Sequence, residues 1–174
     1  MIRLRKSLSF KESRSLEEAL RKQNIPYKIY GGLSFYQRKE IKDILAYCRL
    51  TINPNDEEAL KRVINYPTRG IGNTTLQKLI VTANSEKISI WEVLNNLDGY
   101  KHNINNGSCK KLDEFTTLIK SFISQKDDRD AYVLTEHIAK TSGVFHDLYN
   151  DKSPEGVSRF ENIQELLNLS LIHI

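Results

Sequence analysis

No run of apolar residues in this sequence is long enough to span a membrane. The basic start, Met1-Ile2-Arg3-Leu4-Arg5-Lys6, leads into no apolar signal-peptide core. No membrane contact is expected, and the expected location is cytoplasmic. Cysteine is scarce. Cys48 and Cys109 are too few and too far apart for a disulfide framework, and neither belongs to a CxxC pair. His102, His137, His146 and His173 show no metal-ligand spacing with cysteines or carboxylates, so no metal site is expected. The sequence also lacks a GxxxxGK loop followed by Ser or Thr, and has no acidic doublet after an apolar strand to hold Mg²⁺. There is no GxSxG and no arguable Ser/His/Asp set. No catalytic residue can be named. Unless it acts with another segment, the chain is expected to bind or to support rather than to catalyse.

What is present is a chain of 174 residues, 28% charged and 39% hydrophobic, long enough for one domain or two small ones. Net charge is +4, but its distribution says more. Residues 1–90 hold 17 Lys and Arg against 9 Asp and Glu, a balance of +8; residues 91–174 hold 9 against 13, a balance of −4. A basic half joined to an acidic half suggests two units with the polyanion contact on the first. The same values also lie within the ordinary scatter of soluble proteins.

Glycine and proline mark the most informative stretch, Asn65-Tyr66-Pro67-Thr68-Arg69-Gly70-Ile71-Gly72-Asn73-Thr74-Thr75. Ala59, Leu60, Val63 and Ile64 fall on one helical face before it, and Leu76, Leu79, Ile80 and Ala83 on one face after it. Pro67 has no amide donor and restricts Tyr66 to extended backbone, so it stops the first helix. Gly70 and Gly72 permit a sharp turn and a close backbone approach around Ile71. Asn73, Thr74 or Thr75 is expected to cap the second helix. A row of amides at a helix N-terminus with Arg69 beside it suits a phosphate. A plain helix–helix turn with Arg69 in solvent fits these eleven residues equally well.

Along the chain, residues 1–12 read as irregular or as a frayed strand. A helix from about Ser13 to Gln23 opens on a Ser15/Glu18 capping box and buries Leu16, Ala19 and Leu20. Tyr27-Lys28-Ile29-Tyr30 alternates as a short strand, which Gly31-Gly32 ends. Ser34 with Gln37 opens a long helix to about Ile52, with Ile41, Ile44, Leu45 and Cys48 as its buried stripe. Asp56 caps the next helix. Ser89 with Glu92 makes a further capping box, opening a helix with Trp91, Val93, Leu94 and Leu97. Trp91 reads as core rather than as a base-stacking residue. Residues 98–107 are polar and patternless, a loop. Helices follow through Leu112, Phe115, Leu118, Ile119, Phe122 and Ile123, then Val133, Leu134, His137 and Ile138 to Gly143. A short helical turn holds Val144, Phe145, Leu148 and Tyr149. A last helix opens at Pro154 with Val157, Phe160, Ile163, Leu166 and Leu167. The fold class is mainly α, with one or two short strands.

Four blocks in order, Ser13-Arg14-Ser15-Leu16-Glu17-Glu18-Ala19-Leu20, Ile25-Pro26-Tyr27-Lys28-Ile29-Tyr30-Gly31-Gly32, Phe35-Tyr36-Gln37-Arg38-Lys39-Glu40-Ile41-Lys42-Asp43 and Pro67-Thr68-Arg69-Gly70-Ile71-Gly72, resemble the UvrD/PcrA/Rep family of superfamily 1 DNA helicases, which move 3′ to 5′ on single strands. Ser142-Gly143 followed by Tyr149, and Arg159-Phe160-Glu161-Asn162-Ile163, are also similar to that family. The resemblance implies a fragment. Residues 1–90 would be part of the second RecA-like domain (2A), with a helical excursion that touches single-stranded DNA, and 91–174 part of the inserted helical domain (2B), which rotates and can contact duplex DNA. It implies ATP and Mg²⁺ as cofactors of the parent enzyme and none in this fragment, and the remaining helicase domains as partners.

For Thr68, Arg69, Gly70, Ile71, Gly72, Asn73 and Thr74 the expectation is contact with the backbone of single-stranded DNA. Phe35, Tyr36 and Arg38 are read as bracing the long helix, and Lys39 and Lys42 as a solvated face. Two departures stand out. Leu8 occupies the position of a family arginine that reaches the nucleotide phosphates, so that contact is not carried over. Family-like sequence also ends after Leu169, at Ser170-Leu171-Ile172-His173-Ile174. Both ends are expected to be artefacts of sequence or reading frame. The favoured expectation is the noncatalytic portion of an ATP-dependent DNA helicase. The alternatives are a self-standing nucleic-acid-binding module and a helical protein–protein interaction domain.

Overall fold

The structure, a computed structural model, describes residues 2–4, 19–29 and 35–171. Two strands and eight labelled helices follow in order: β1 (Ile2–Leu4), β2 (Tyr27–Ile29), α1 (Lys39–Ile52), α2 (Glu57–Val63), α3 (Asn73–Glu86), α4 (Ile90–Asn95), α5 (Asn106–Ile123), α6 (Ala131–Thr141), α7 (Val144–Asn150) and α8 (Pro154–Leu171). Short 3-10 turns occupy Phe35–Gln37 and Leu97–Gly99. The mainly α expectation with one or two short strands holds.

The chain divides into two compact units, Met1–Lys42 and Asp43–Ile174. In the first, β1 and β2 pair in parallel with Ile2 opposite Tyr27 and Leu4 opposite Ile29. Parallel strands need a crossover connection, and residues 19–22 of that connection are helical. Phe35 is buried, its ring edge-on to Tyr36 at 5.3 Å, and the Arg21 guanidinium lies 4.6 Å from the Tyr36 ring centre. Phe35, Tyr36 and Arg38, read as bracing the long helix, stand immediately before it, and Lys39 and Lys42 are exposed. The 3-10 turn delays the long helix, which begins at Lys39 rather than at Ser34. Ser15, Glu18, Gly31, Gly32, Ser34, Leu8 and the tail after Leu171 lie outside the described residues.

Most of the basic excess of the first 90 residues lies in the first unit. Residues 1–42 hold 11 Lys and Arg against 4 Asp and Glu, a balance of +7, and residues 43–174 carry −3. The hairpin therefore belongs to the acidic unit.

The second unit is a helical body. Asp56 caps α2 by accepting the Ala59 amide at 3.0 Å, and the Arg49 guanidinium grips the same carboxylate at 2.7 and 3.0 Å. Those two contacts hold the Asp56 carboxyl below its ordinary pKa. Both halves of the Ser89/Glu92 capping box form at the start of α4. Ala59, Leu60, Val63 and Ile64 are buried as expected. The α1 stripe is rotated from its expected place. Ile41 and Ile44 are buried, but Leu45 and Cys48 are half-buried, and Tyr47 and Leu50 take the innermost positions. Tyr47 goes inward because its hydroxyl finds partners there, as described below. Trp91 is core. The polar 98–107 segment is shorter than a loop of that length, since Asn105 caps α5 through the Ser108 amide and the helix starts at Asn106. Gly143, at φ +87°, separates α6 from α7. Helices α6, α7 and α8 pack on one another, and Ile138, Val144, Leu148 and Ile163 on them are buried. Val157 and Tyr149, expected on apolar faces, are 47% and 56% exposed.

Candidate nucleic-acid interface

The segment between α2 and α3 is a tight turn built on two internal anchors. The first is Asn65, whose side-chain oxygen accepts the Arg69 and Ile71 amides, each at 3.0 Å. Asn is suited to this because its short side chain can replace a backbone acceptor in a turn. The second is Ile71, 2% exposed and part of the core. Between the anchors Gly70 adopts φ +72°, a left-handed conformation that favours glycine. Lys111 Nζ, from α5, donates to the Gly70 carbonyl at 3.3 Å.

With Ile71 turned inward, the backbone on either side turns outward. Thr68, Gly70, Gly72, Asn73 and Thr74 are all exposed. Gly72 is the N-cap of α3 in extended backbone, which corrects the expected cap at Asn73, Thr74 or Thr75. It offers no side chain to the helix amides. The Thr75 and Leu76 amides close on the Gly72 carbonyl at 3.0 and 3.1 Å. The Asn73 and Thr74 amides have no acceptor among the described residues, as a helix start without a capping side chain requires. A Cβ built on Gly72 meets nothing within 4 Å. The turn thus presents uncapped amides, the positive end of α3 and free space, a combination that accepts an anion.

Arg69 is arranged differently from the sequence-based expectation. Its guanidinium faces inward. Nη1 donates to the Val63 and Pro67 carbonyls at 3.2 and 3.1 Å, and Nη2 to the Tyr47 hydroxyl at 2.8 Å and the Ser142 carbonyl at 2.9 Å. The charge also lies 5.6 Å from the Phe115 ring centre and 5.9 Å from that of Tyr47. The Tyr47 hydroxyl in turn donates to the Tyr66 carbonyl at 2.5 Å. Burial pushes the Tyr47 pKa up to about 12, although the neighbouring guanidinium opposes the shift. Of the seven expected contact residues, Thr68, Gly70, Gly72, Asn73 and Thr74 form one outward rim. Ile71 and Arg69 hold that rim from within.

Sequence reasoning assigned no role to Asn65, Tyr47 or Lys111. Asn65 carried a readable signal, an Asn before a Pro and two glycines. The other two act across long sequence separations and carried none. Among the described residues no group of three His, Cys, Asp or Glu is placed to hold a metal ion. His137 packs edge-on to Phe122 at 5.9 Å, and burial lowers its pKa. His146 is exposed and bonded to the Asn150 amide at 2.8 Å. No helix among the described residues is long and apolar enough to cross a membrane.

The UvrD-like helicase C-terminal domain family matches residues 8–171. The chain belongs to this family. It is 38% identical over 156 residues to DNA helicase II of Salmonella typhimurium, covering 90% of this chain and 22% of that protein. It is 37% identical over 159 residues to the ATP-dependent DNA helicase PcrA of Bacillus subtilis, covering 91% of this chain and 21% of that protein. This UvrD-like chain therefore spans about one fifth of the length of the curated relatives it matches.

Proposed function

We propose that this UvrD-like chain is the noncatalytic 2A/2B portion of an ATP-dependent 3′–5′ DNA helicase, and that its hairpin rim, Thr68 and Gly70 to Thr74, grips the backbone of single-stranded DNA. The observation that carries the reading is the pair of uncapped amides, Asn73 and Thr74, beside a glycine with open space around it. Phosphate contacts of this kind position a strand without reading its bases. Arg69 serves the reading as a strut rather than as a phosphate ligand.

The division between 2A-like and 2B-like parts is also a proposal. The sequence suggested residue 90. The packing break favours a boundary near Lys42, which assigns the hairpin to the 2B-like body. Duplex DNA and the remaining helicase domains are the other proposed partners, and the cytoplasm the proposed location. ATP and Mg²⁺ belong in this proposal to the whole enzyme. The residues present do not form a site for them: the sequence has no phosphate-cradling loop, and no described acidic cluster is placed for a metal.

The test is fluorescence anisotropy of the chain with a labelled single-stranded oligonucleotide across a salt series. Binding should weaken with salt, log K falling by roughly 0.7 per phosphate contact for each tenfold rise. Absence of binding at low salt overturns the hairpin reading. DNA-stimulated ATP hydrolysis by the pure chain overturns the noncatalytic one.

A further inference from the structure

A groove of about 730 Å³ runs along the outer face of α3, within the roughly 300–1,000 Å³ range of small-ligand sites. Lys78 and Val81 stand on one wall, and Asp98 and Tyr100 to Asn103 form the other. The second wall leaves the Leu97–Gly99 turn in extended backbone, with Tyr100 at φ −120° and ψ 147°. It is pinned in place. Lys78 Nζ donates to the Asn103 carbonyl, the Ile104 amide donates to His102 Nδ1 at 3.3 Å, and Ile104 itself is 8% exposed.

The same wall is pinned but not paired. The Tyr100 amide bonds back to the Leu97 carbonyl, but the Lys101 and His102 amides and carbonyls have no partner among the described residues. Free donors and acceptors on a fixed extended segment are a template for a second extended chain. A phosphodiester strand offers no such row of amides and carbonyls, so this backbone suits a peptide. Side chains on an extended peptide alternate between two faces. Val81, 65% exposed, and the half-buried Tyr100 ring offer apolar surface to one of them. Lys78 and Lys101 against Asp98 make the groove positive, although the second unit as a whole carries −3. A positive cleft in a negative body favours acidic partners.

We propose that this groove binds an extended acidic segment of a partner protein, which pairs its backbone with Lys101 and His102 and sets its carboxylates against Lys78 and Lys101. The proposal does not depend on what the hairpin binds.

The experiment is fluorescence anisotropy of the full chain at low salt with a labelled peptide in which glutamate and leucine alternate. Two companion probes are the same peptide with lysine in place of glutamate, and the glutamate peptide with alternate backbone amides methylated. Wild type should bind the glutamate peptide about tenfold or more tighter than the lysine peptide. Methylation, which removes backbone donors, should weaken binding. Val81→Trp fills the groove from an exposed position and should abolish binding without moving the unfolding midpoint. Lys101→Glu should narrow or reverse the preference for glutamate. Lys126→Glu makes the same change of net charge beyond the far end of α5 and should leave the preference intact. The proposal is overturned if wild type does not bind the glutamate peptide, binds the lysine peptide equally, or binds the methylated peptide as tightly as its parent. Binding by Val81→Trp equal to wild type overturns it as well, and so does an equal loss in Lys101→Glu and Lys126→Glu, which would assign the binding to net charge. A labelled single-stranded oligonucleotide is run alongside. If it binds wild type but not Val81→Trp while the glutamate peptide binds neither, the groove takes nucleic acid and the proposal is wrong.

Discussion

Arg69 donates to the Ser142 carbonyl at 2.9 Å across 73 positions of sequence. The bond ties the hairpin to the junction between α6 and α7, and it shares its guanidinium with Val63, Pro67 and Tyr47. Pro67 also lies 3.7 Å from the position a Cβ on Gly143 would take. The rim therefore does not hang from two helix ends. It is fixed to the body of the second unit by Arg69, with Lys111 of α5 on the Gly70 carbonyl.

Removing that strut should cost stability first. Arg69→Ala takes the guanidinium from the Pro67 and Ser142 carbonyls and the Tyr47 hydroxyl, and buried polar groups left unpaired are costly. A loss of about 2–4 kcal/mol is expected, read as a lower urea midpoint at unchanged slope. Arg69→Lys should recover only part of it, because an ammonium cannot span four acceptors in a plane. An unchanged midpoint in Arg69→Ala would show that the network is not holding the turn.

Tyr47 predicts a response at alkaline pH. Its folded pKa of about 12 lies above the ordinary value of 10.0. Between these values the unfolded chain loses the proton and the folded chain keeps it, so unfolding becomes easier as pH rises. The stability linked to this proton is complete below pH 10.0 and is lost as pH climbs toward about 12. Unfolding midpoints of wild type should fall more steeply over that window than those of Tyr47→Phe. Absorbance of ionised tyrosine should show a late-titrating group that is missing in the variant. Parallel slopes for the two proteins would rule the assignment out.

Ile71 tests the inner anchor. Truncating Ile71→Ala removes a fully buried side chain and should cost about 2–5 kcal/mol. Hydrogen exchange should then quicken at the Arg69 and Ile71 amides that Asn65 holds, ahead of global unfolding. Exchange at these amides that tracks only global unfolding would mean that the turn keeps its shape without the anchor.

Local rules made much of this fold readable. Asp56, Ser89 and Glu92 announce their helices because a cap acts within three or four residues. The faces of α2 and α3 follow from helical spacing. What was not readable depends on distant partners. Tyr47 looked like one more position beside an apolar stripe, and only the Tyr66 carbonyl and Arg69, brought to it by the turn, explain why it is innermost. Arg69 beside two glycines looked like a phosphate ligand; the Ser142 carbonyl that draws it inward cannot be foreseen from the hairpin. The groove was invisible because one wall is a patternless segment that takes its shape from Lys78. The charge division was visible, but charge alone does not place it. A two-way split at residue 90 gives nearly the same basic excess as one at Lys42, and only packing separates them.

Gly72 separates binding from folding. Its backbone is extended at φ −77°, and a Cβ there meets nothing, so the fold accepts a side chain. Asp is a better N-cap than Gly by about a few tenths of a kcal/mol and favours the positive end of a helix. Gly72→Asp should therefore leave the unfolding midpoint unchanged or raise it slightly. The same carboxylate would occupy the Asn73 and Thr74 amides and repel a phosphate. Binding of a single-stranded oligonucleotide should weaken about tenfold or more at low salt, with the difference narrowing as salt screens the added charge. Gly72→Ala places only a methyl group in the open space and should weaken binding less, with no such narrowing. A Gly72→Asp protein that is as stable as wild type and binds as tightly would mean that the strand does not touch the start of α3, since no other change at this position places a negative charge so close to the two amides.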